Sequence, residues 1–242
     1  IFFHLFYYYI ISNLIFIFMI LNSKYNFLKP FKVKKLVRLG RNYDGGYLLC
    51  DEILQSCEHL ITLGVGDDVS FEIDFEKKKN FKSIKMYDYT VNDFLFIKII
   101  FKYFRRLITF RTKLDNFKNS IKNYLNFFMF LRKENIFLEK LRIVNKVKFS
   151  YDITLNSILK NTNNKKNLLK IDIEGSEYEV IDHIVNHHFK IKMLVIEFNW
   201  INKNKNLFIK SVKKLKKFFD IIHIHPNNYK PMKNSDDIFD VL

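Results

Sequence analysis

The run Leu168-Leu169-Lys170-Ile171-Asp172-Ile173-Glu174-Gly175-Ser176-Glu177 sets carboxylates into a stretch otherwise apolar enough to be a buried strand. Alternate residues of a strand share a face, so Asp172 and Glu174 are expected to project together near its carboxyl end. Two carboxylates that close do not both ionise freely unless a cation, a bound hydroxyl or water shares the site. That is the arrangement of a reaction centre. A cap on a helix starting near Gly175 accounts for one of the acids but not for both.

A second site is Ile61-Thr62-Leu63-Gly64-Val65-Gly66-Asp67-Asp68, an apolar strand running into two glycines and then towards a helix. In a doubly wound sheet such a turn lies at the carboxyl edge, where nucleotides bind, and Gly64 and Gly66 let a ligand approach the backbone. Asp67 and Asp68 would repel a pyrophosphate, whereas a cationic sulfonium that also carries an amino group suits them. The pattern therefore favours S-adenosyl-L-methionine over NAD or ATP. Asp88, ending the strand-like Met86-Tyr87-Asp88, lies about 20 residues past the turn, where a carboxylate accepts hydrogen bonds from both ribose hydroxyls. A turn cap is its competing role.

These residues need elements to position them. Apolar runs at 59–65, 84–89, 147–151, 168–173, 193–198 and 221–225 read as strands. Helical spacing between them shows in the pairs Phe71 and Phe75, and Tyr178 and Asp182, and across 207–218. The alternation predicts an α/β domain with a mostly parallel sheet and helices on both faces. Residues 92–145 break the rhythm: they hold no glycine or proline and are aromatic and basic. Two or three helices are expected there, inserted after the second strand, either as a cap over the sheet or as a basic amphipathic surface facing a membrane or an acceptor.

With 242 residues, 48% of them apolar, the chain supports one larger domain, and 6 glycines with 3 prolines exclude collagen-like and turn-rich β architectures. The net charge of +16 is scattered along the chain, so no specific nucleic-acid partner is expected. Cys50 and Cys57 fit no zinc or redox spacing and read as reduced thiols of a cytoplasmic protein. Residues 1–22 carry no Asp, Glu, Lys or Arg and are long enough to cross a bilayer, with Lys24, Lys29 and Lys32 following. A membrane anchor that leaves the remaining domain in the cytoplasm is one expectation for them; a buried helix packed on the domain and poorly defined upstream sequence are the others. His223 and His225 alternate on one strand face as a half-buried pair or a pair of metal ligands, the former preferred, so no metal site is expected. His187 and His188 read as solvent-facing charge complements at a helix end. Glu197 is expected at the cofactor edge, touching the acceptor or capping.

The run Asp172 to Glu177 resembles the Asp-x-Glu-Gly-Ala-Glu hallmark of the FkbM family of O-methyltransferases, with Ser176 in place of alanine. Asp44-Gly45-Gly46-Tyr47 is similar to that family's Asp-Gly-Gly-Tyr loop, Leu63 to Glu72 to its cofactor motif, and His225-Pro226-Asn227-Asn228 to a late His-x-Asn-Asn segment. The resemblance implies a Rossmann-like class I methyltransferase fold over residues 36–242. It also implies transfer of a methyl group from S-adenosyl-L-methionine to a hydroxyl on a glycan, lipid-linked or natural-product acceptor. Gly64, Gly66, Asp67, Asp88, Asp44, Gly45 and Gly46 would serve the cofactor, and Glu174 and Asp172 the chemistry. Thr62 stands where an acid often opens the glycine motif, and Asp68 where a third glycine falls. The sequence ends at Asp240-Val241-Leu242, where a further antiparallel strand is expected, so that strand is expected to be missing. A non-catalytic membrane- or RNA-associated module of the same fold is the alternative. A metal-dependent glycosyltransferase is opposed by the acids at the glycine turn.

Overall fold

The computed structural model describes residues 23–42, 45–162, 166–201, 203–226 and 239–241. A 3-10 turn at Ser23–Leu28 precedes an antiparallel hairpin of β1 (Leu36–Leu39) and β2 (Tyr47–Cys50), followed by α1 (Asp51–Ser56). Then come β3 (His59–Leu63), α2 (Ser70–Glu76), β4 (Ser83–Tyr87) and two long helices, α3 (Asp93–Ile108) and α4 (Leu114–Leu131). After β5 (Ile136–Glu139) follow a short parallel pair, β6 (Arg142–Ile143) and β7 (Asp152–Ile153), then α5 (Leu155–Lys160) and β8 (Asn167–Ile171). The chain closes with α6 (Glu177–Asn186), β9 (Ile191–Phe198), α7 (Lys205–Leu215), β10 (Ile224–Pro226) and β11 (Phe239–Val241).

The main sheet has the order β10-β11-β9-β8-β3-β4-β5. From β9 to β5 the neighbours pair in parallel, while β11 runs antiparallel to both β9 and β10. Strands that bury both faces must be apolar on both, and every residue of β8 is buried. One core cluster joins Ile61, Leu63, Leu169 and Ile171 to α5, α6 and α7. The other joins Leu60, Ile84 and Leu168 to α1, α2, Phe96 of α3 and Phe127 of α4. Helices therefore cover both faces. The chain works outward from β3 to β5 and returns on the other side with β8, so the strand order reverses between β3 and β8. A crevice forms at such a point, outside the carboxyl ends of the strands.

Several expectations change. The run 147–151 is an exposed loop; the third parallel strand is β5, which lies inside the stretch read as helical, so the helices end at Leu131. Phe149 and Tyr151 stack on each other, with the Arg142 guanidinium over both rings, which satisfies their apolar faces without a sheet. The strand expected at 168–173 stops at Ile171, leaving both acids beyond it. The last antiparallel strand is present as β11. His187 and His188 are half-buried instead of solvent-facing: His187 Nε2 lies 2.8 Å from Asn156 Oδ1, and His188 stacks on Phe218. Burial lowers the His187 pKa, which disfavours the expected charge. Residues 1–22 lie outside the described residues, and so does the anchor expectation. No helix among the described residues is long and apolar enough to cross a membrane.

Candidate active site

The crevice is a cavity of about 850 Å³. Gly64, Gly66, Asp67, Asp88, Gly45, Asp172 and Glu174 all line it, so the structure brings together the sequence-predicted residues that it describes, except Gly46. Gly46 packs behind the lining against the Arg41 carbonyl and the Arg38 guanidinium. Asp44 lies outside the described residues.

The floor is built where β3 and β8 end. Asp172 N–H donates to the Leu63 carbonyl at 2.8 Å, and Gly64 N–H to the Tyr87 carbonyl at 3.0 Å. A Cβ on Gly64 would fall 1.6 Å from the Asp172 carbonyl oxygen, so only glycine lets the two strand ends meet. Gly66 is different: nothing lies within 4 Å of where its Cβ would be, and that space belongs to the cavity.

Asp88 ties the turn down. Its Oδ2 accepts from Val65 N–H at 2.8 Å and Gly66 N–H at 2.9 Å, while Oδ1 accepts from the Thr90 amide and hydroxyl. Its acceptor capacity is largely spent on the protein, so Asp88 shapes the turn as well as facing the cavity. Asp68 also lines the cavity, with its carboxylate engaged by protein partners. It accepts from the Ser70 amide and hydroxyl at the start of α2 and pairs with Arg41 at 2.9 Å. Asp67 remains exposed on the cavity wall.

The two expected catalytic acids do not share a strand face. Glu174 takes a left-handed backbone (φ 53) in the loop after β8 and is exposed at the rim. Asp172 lies deeper, and its carboxyl is pushed up to about 8, first by burial and then by the Glu197 carboxylate. Lys170 opposes that rise, while Glu174 and Glu177 add to it by less. The loop is shaped by Glu177, whose Oε1 accepts from Gly175 N–H at 2.9 Å, Ile173 N–H at 3.2 Å and Asn199 Nδ2 at 3.2 Å.

Behind Asp172 lies a polar layer that the sequence reading did not single out. Lys170, buried and paired in register with Thr62, lies 3.6 Å from Glu72 Oε1, which also accepts from the Thr62 hydroxyl at 2.9 Å. Its ammonium sits over the Tyr47 and Phe71 rings. Burial, the largest single influence, pulls the Lys170 pKa down, but Glu72, Asp172, Asp68 and Glu197 together hold it above its ordinary value. Glu72 is fully buried and does not line the cavity, so its carboxylate serves Lys170 and Thr62. The signal was present in the sequence as a charged residue inside a buried strand and an acid on the apolar face of α2. Glu197 is buried and accepts from the Tyr47 hydroxyl at 2.8 Å; it does not line the cavity.

The far wall is basic, with Arg142, Lys146 and Lys148. Arg142 Nε and an Arg142 terminal nitrogen each lie 2.9 Å from Asp152 Oδ1, which fixes that loop. Among the described residues no cluster of His, Cys, Asp and Glu fits a metal ion, and His223 and His225 stack with centroids 6.1 Å apart.

A parallel sheet reversing between β3 and β8, with the antiparallel strand β11 set between β9 and β10 and the crevice at its carboxyl edge, defines a Rossmann-like class I methyltransferase fold. Residues 49–225 match the methyltransferase FkbM domain, and the chain belongs to that family. The cofactor that goes with this membership is S-adenosyl-L-methionine. No match was found among curated proteins. Similar solved structures include spermidine synthase from Thermotoga maritima, 7% identical, covering 88% of this chain and 70% of that one, TM-score 0.44. Another is the fibrillarin pre-rRNA processing protein of Methanococcus jannaschii, 10% identical, covering 88% and 85%, TM-score 0.41. Human methyltransferase-like protein 13 in complex with SAH is 9% identical, covering 78% and 74%, TM-score 0.39. At such scores these likenesses decide nothing about the chemistry.

Proposed function

We propose that the protein is an O-methyltransferase acting on a hydroxyl of a glycan, lipid-linked or natural-product acceptor. The observation that carries this reading is the pairing of an open face at Gly66 with a deep carboxyl, Asp172, at the switch point of the sheet. When bound, S-adenosyl-L-methionine supplies an electrophilic methyl group on a sulfonium and leaves as S-adenosylhomocysteine. The residues present fit it: the acids Asp67, Asp88 and Asp172 suit a ligand that carries positive charge, and Gly66 leaves room beside the backbone.

Asp172 loses its proton as that charge arrives, because an opposite charge favours the carboxylate. Fixed by the β3–β8 junction, it then orients the donor without having to reorganise. Glu174, on the exposed rim, faces the side from which an acceptor enters and takes the hydroxyl proton. Displacement at carbon gains most from alignment, up to about 7–11 kcal/mol in well-oriented systems, and the base adds roughly 10²–10⁴-fold.

A screen of hydroxyl acceptors reading out S-adenosylhomocysteine tests the reaction, and Glu174→Gln tests the base. The variant keeps cofactor affinity and loses roughly 10²-fold or more in turnover. Near-normal turnover on a true acceptor removes Glu174 from the chemistry. Cofactor binding with no product from any hydroxyl acceptor removes the proposed reaction.

A further inference from the structure

Helix α3 carries two apolar faces; the fold buries one and leaves the other largely exposed, with Phe104 of that second face meeting the Phe117 ring of α4 at 5.8 Å between centroids. On the inner face Phe96 packs against Tyr124, Phe127 and Phe128 of α4, with centroids 4.8 to 5.8 Å apart. On the outer face Phe94, Ile97, Phe101, Phe104 and Ile108 recur at intervals of three and four, one stripe along the helix, and are between 44% and 71% exposed. The α3–α4 turn adds Phe110, 97% exposed in a left-handed backbone (φ 52). Glycine or asparagine takes that position at least cost; phenylalanine there gains no packing from its own chain.

The stripe is edged by cations. Lys98, Lys102 and Arg105 each follow a stripe residue by one position and have no carboxylate partner among the described residues. Across 93–132 there are nine Lys and Arg against two Asp and Glu, a net charge of 9 − 2 = +7. Apolar side chains that insert and cations that flank them are what a helix needs to lie in the interface of a bilayer with anionic headgroups. A second copy would bring the same charge against this face and be repelled. Neither α3 nor α4 is long and apolar enough to cross a membrane, so the contact is with the surface only.

We infer that the outer face of the α3–α4 hairpin docks on an anionic lipid surface, with Phe101 and Phe110 inserting and Lys98, Lys102 and Arg105 reading the headgroup charge. The hairpin adjoins the cavity, because Arg41 and Asp67 line both it and a smaller hollow of about 130 Å³ against α3 and α4. Docking therefore brings the mouth of the cavity beside the membrane. The inference stands whether or not the acceptor is a hydroxyl.

The test is co-sedimentation of the full chain with phosphatidylcholine vesicles and with mixed phosphatidylcholine–phosphatidylserine vesicles. The protein is expected to sediment with the mixed vesicles and to be released by salt. Phe101→Ser with Phe110→Ser lowers the partition about tenfold without changing the melting temperature, since both side chains are exposed. Lys98→Glu with Lys102→Glu removes the preference for phosphatidylserine. Vesicle binding unchanged in the Phe variants overturns the proposal, because it then belongs to another part of the chain. So does a concentration-dependent dimer that Phe101→Ser dissolves, or RNA binding in the absence of vesicle binding.

Discussion

Asp172 holds its proton to about pH 8 in the free protein, against 3.8 for an ordinary aspartate, because it is buried and faces Glu197. A carboxyl raised on folding binds its proton more tightly in the native chain than in the unfolded one, so stability falls as pH rises through that window. Asp172→Asn has the shape and the neutral charge that the free protein already prefers. It is therefore expected to be more stable than the parent at about pH 8, with the advantage shrinking towards about pH 5. Urea denaturation at the two pH values checks this; a variant less stable at both would show that Lys170 depends on a charged Asp172. The residue chemistry was partly legible in the sequence. An acid ending an apolar strand announced itself at Asp172, whereas the division of labour between Asp172 and Glu174 did not. It depends on where the strand stops, and the left-handed residue at Glu174 leaves no mark in hydrophobic alternation.

At the scale of elements, the loop between β8 and α6 is held by the first turn of the helix that follows it. Glu177 is buried and gathers the amides of Ile173 and Gly175 and the Asn199 side chain on one oxygen. Hydrogen bonds to a charged group contribute about 1.5–3 kcal/mol, and stranding buried donors adds to the loss. Glu177→Ala is expected to cost about 2–4 kcal/mol in denaturant unfolding and to misplace Glu174; Glu177→Gln, which keeps an acceptor, loses less. A fully stable Glu177→Ala would show that the loop holds itself. The strands β3, β4, β8 and β9 were readable because burial on both faces makes them mostly apolar, with few charged residues between. Strand β5 was not. Ile136–Glu139 is a short piece following two aromatic, basic helices with no glycine or proline to mark the boundary. The 147–151 loop imitates a strand because its rings are covered by Arg142.

Across the whole molecule, the reversal of strand order between β3 and β8 sets the glycine turn, Asp88 and Asp172 around one cavity although the chain spreads them from residue 64 to residue 172. Motifs in order along the sequence gave the family and the edge of the sheet. The polar layer of Thr62, Glu72 and Lys170 stayed hidden because its members meet only across strands and a helix. The central claim is that this cavity takes up S-adenosyl-L-methionine and that its positive charge is met by Asp172. Calorimetric titration of the protein with S-adenosyl-L-methionine at about pH 6 and about pH 8 tests it most directly, since binding must release the Asp172 proton and so strengthen as pH rises. Saturable binding, tighter at the higher pH, with that dependence lost in Asp172→Asn, is the predicted result. A folded protein that takes up no S-adenosyl-L-methionine at either pH would contradict it.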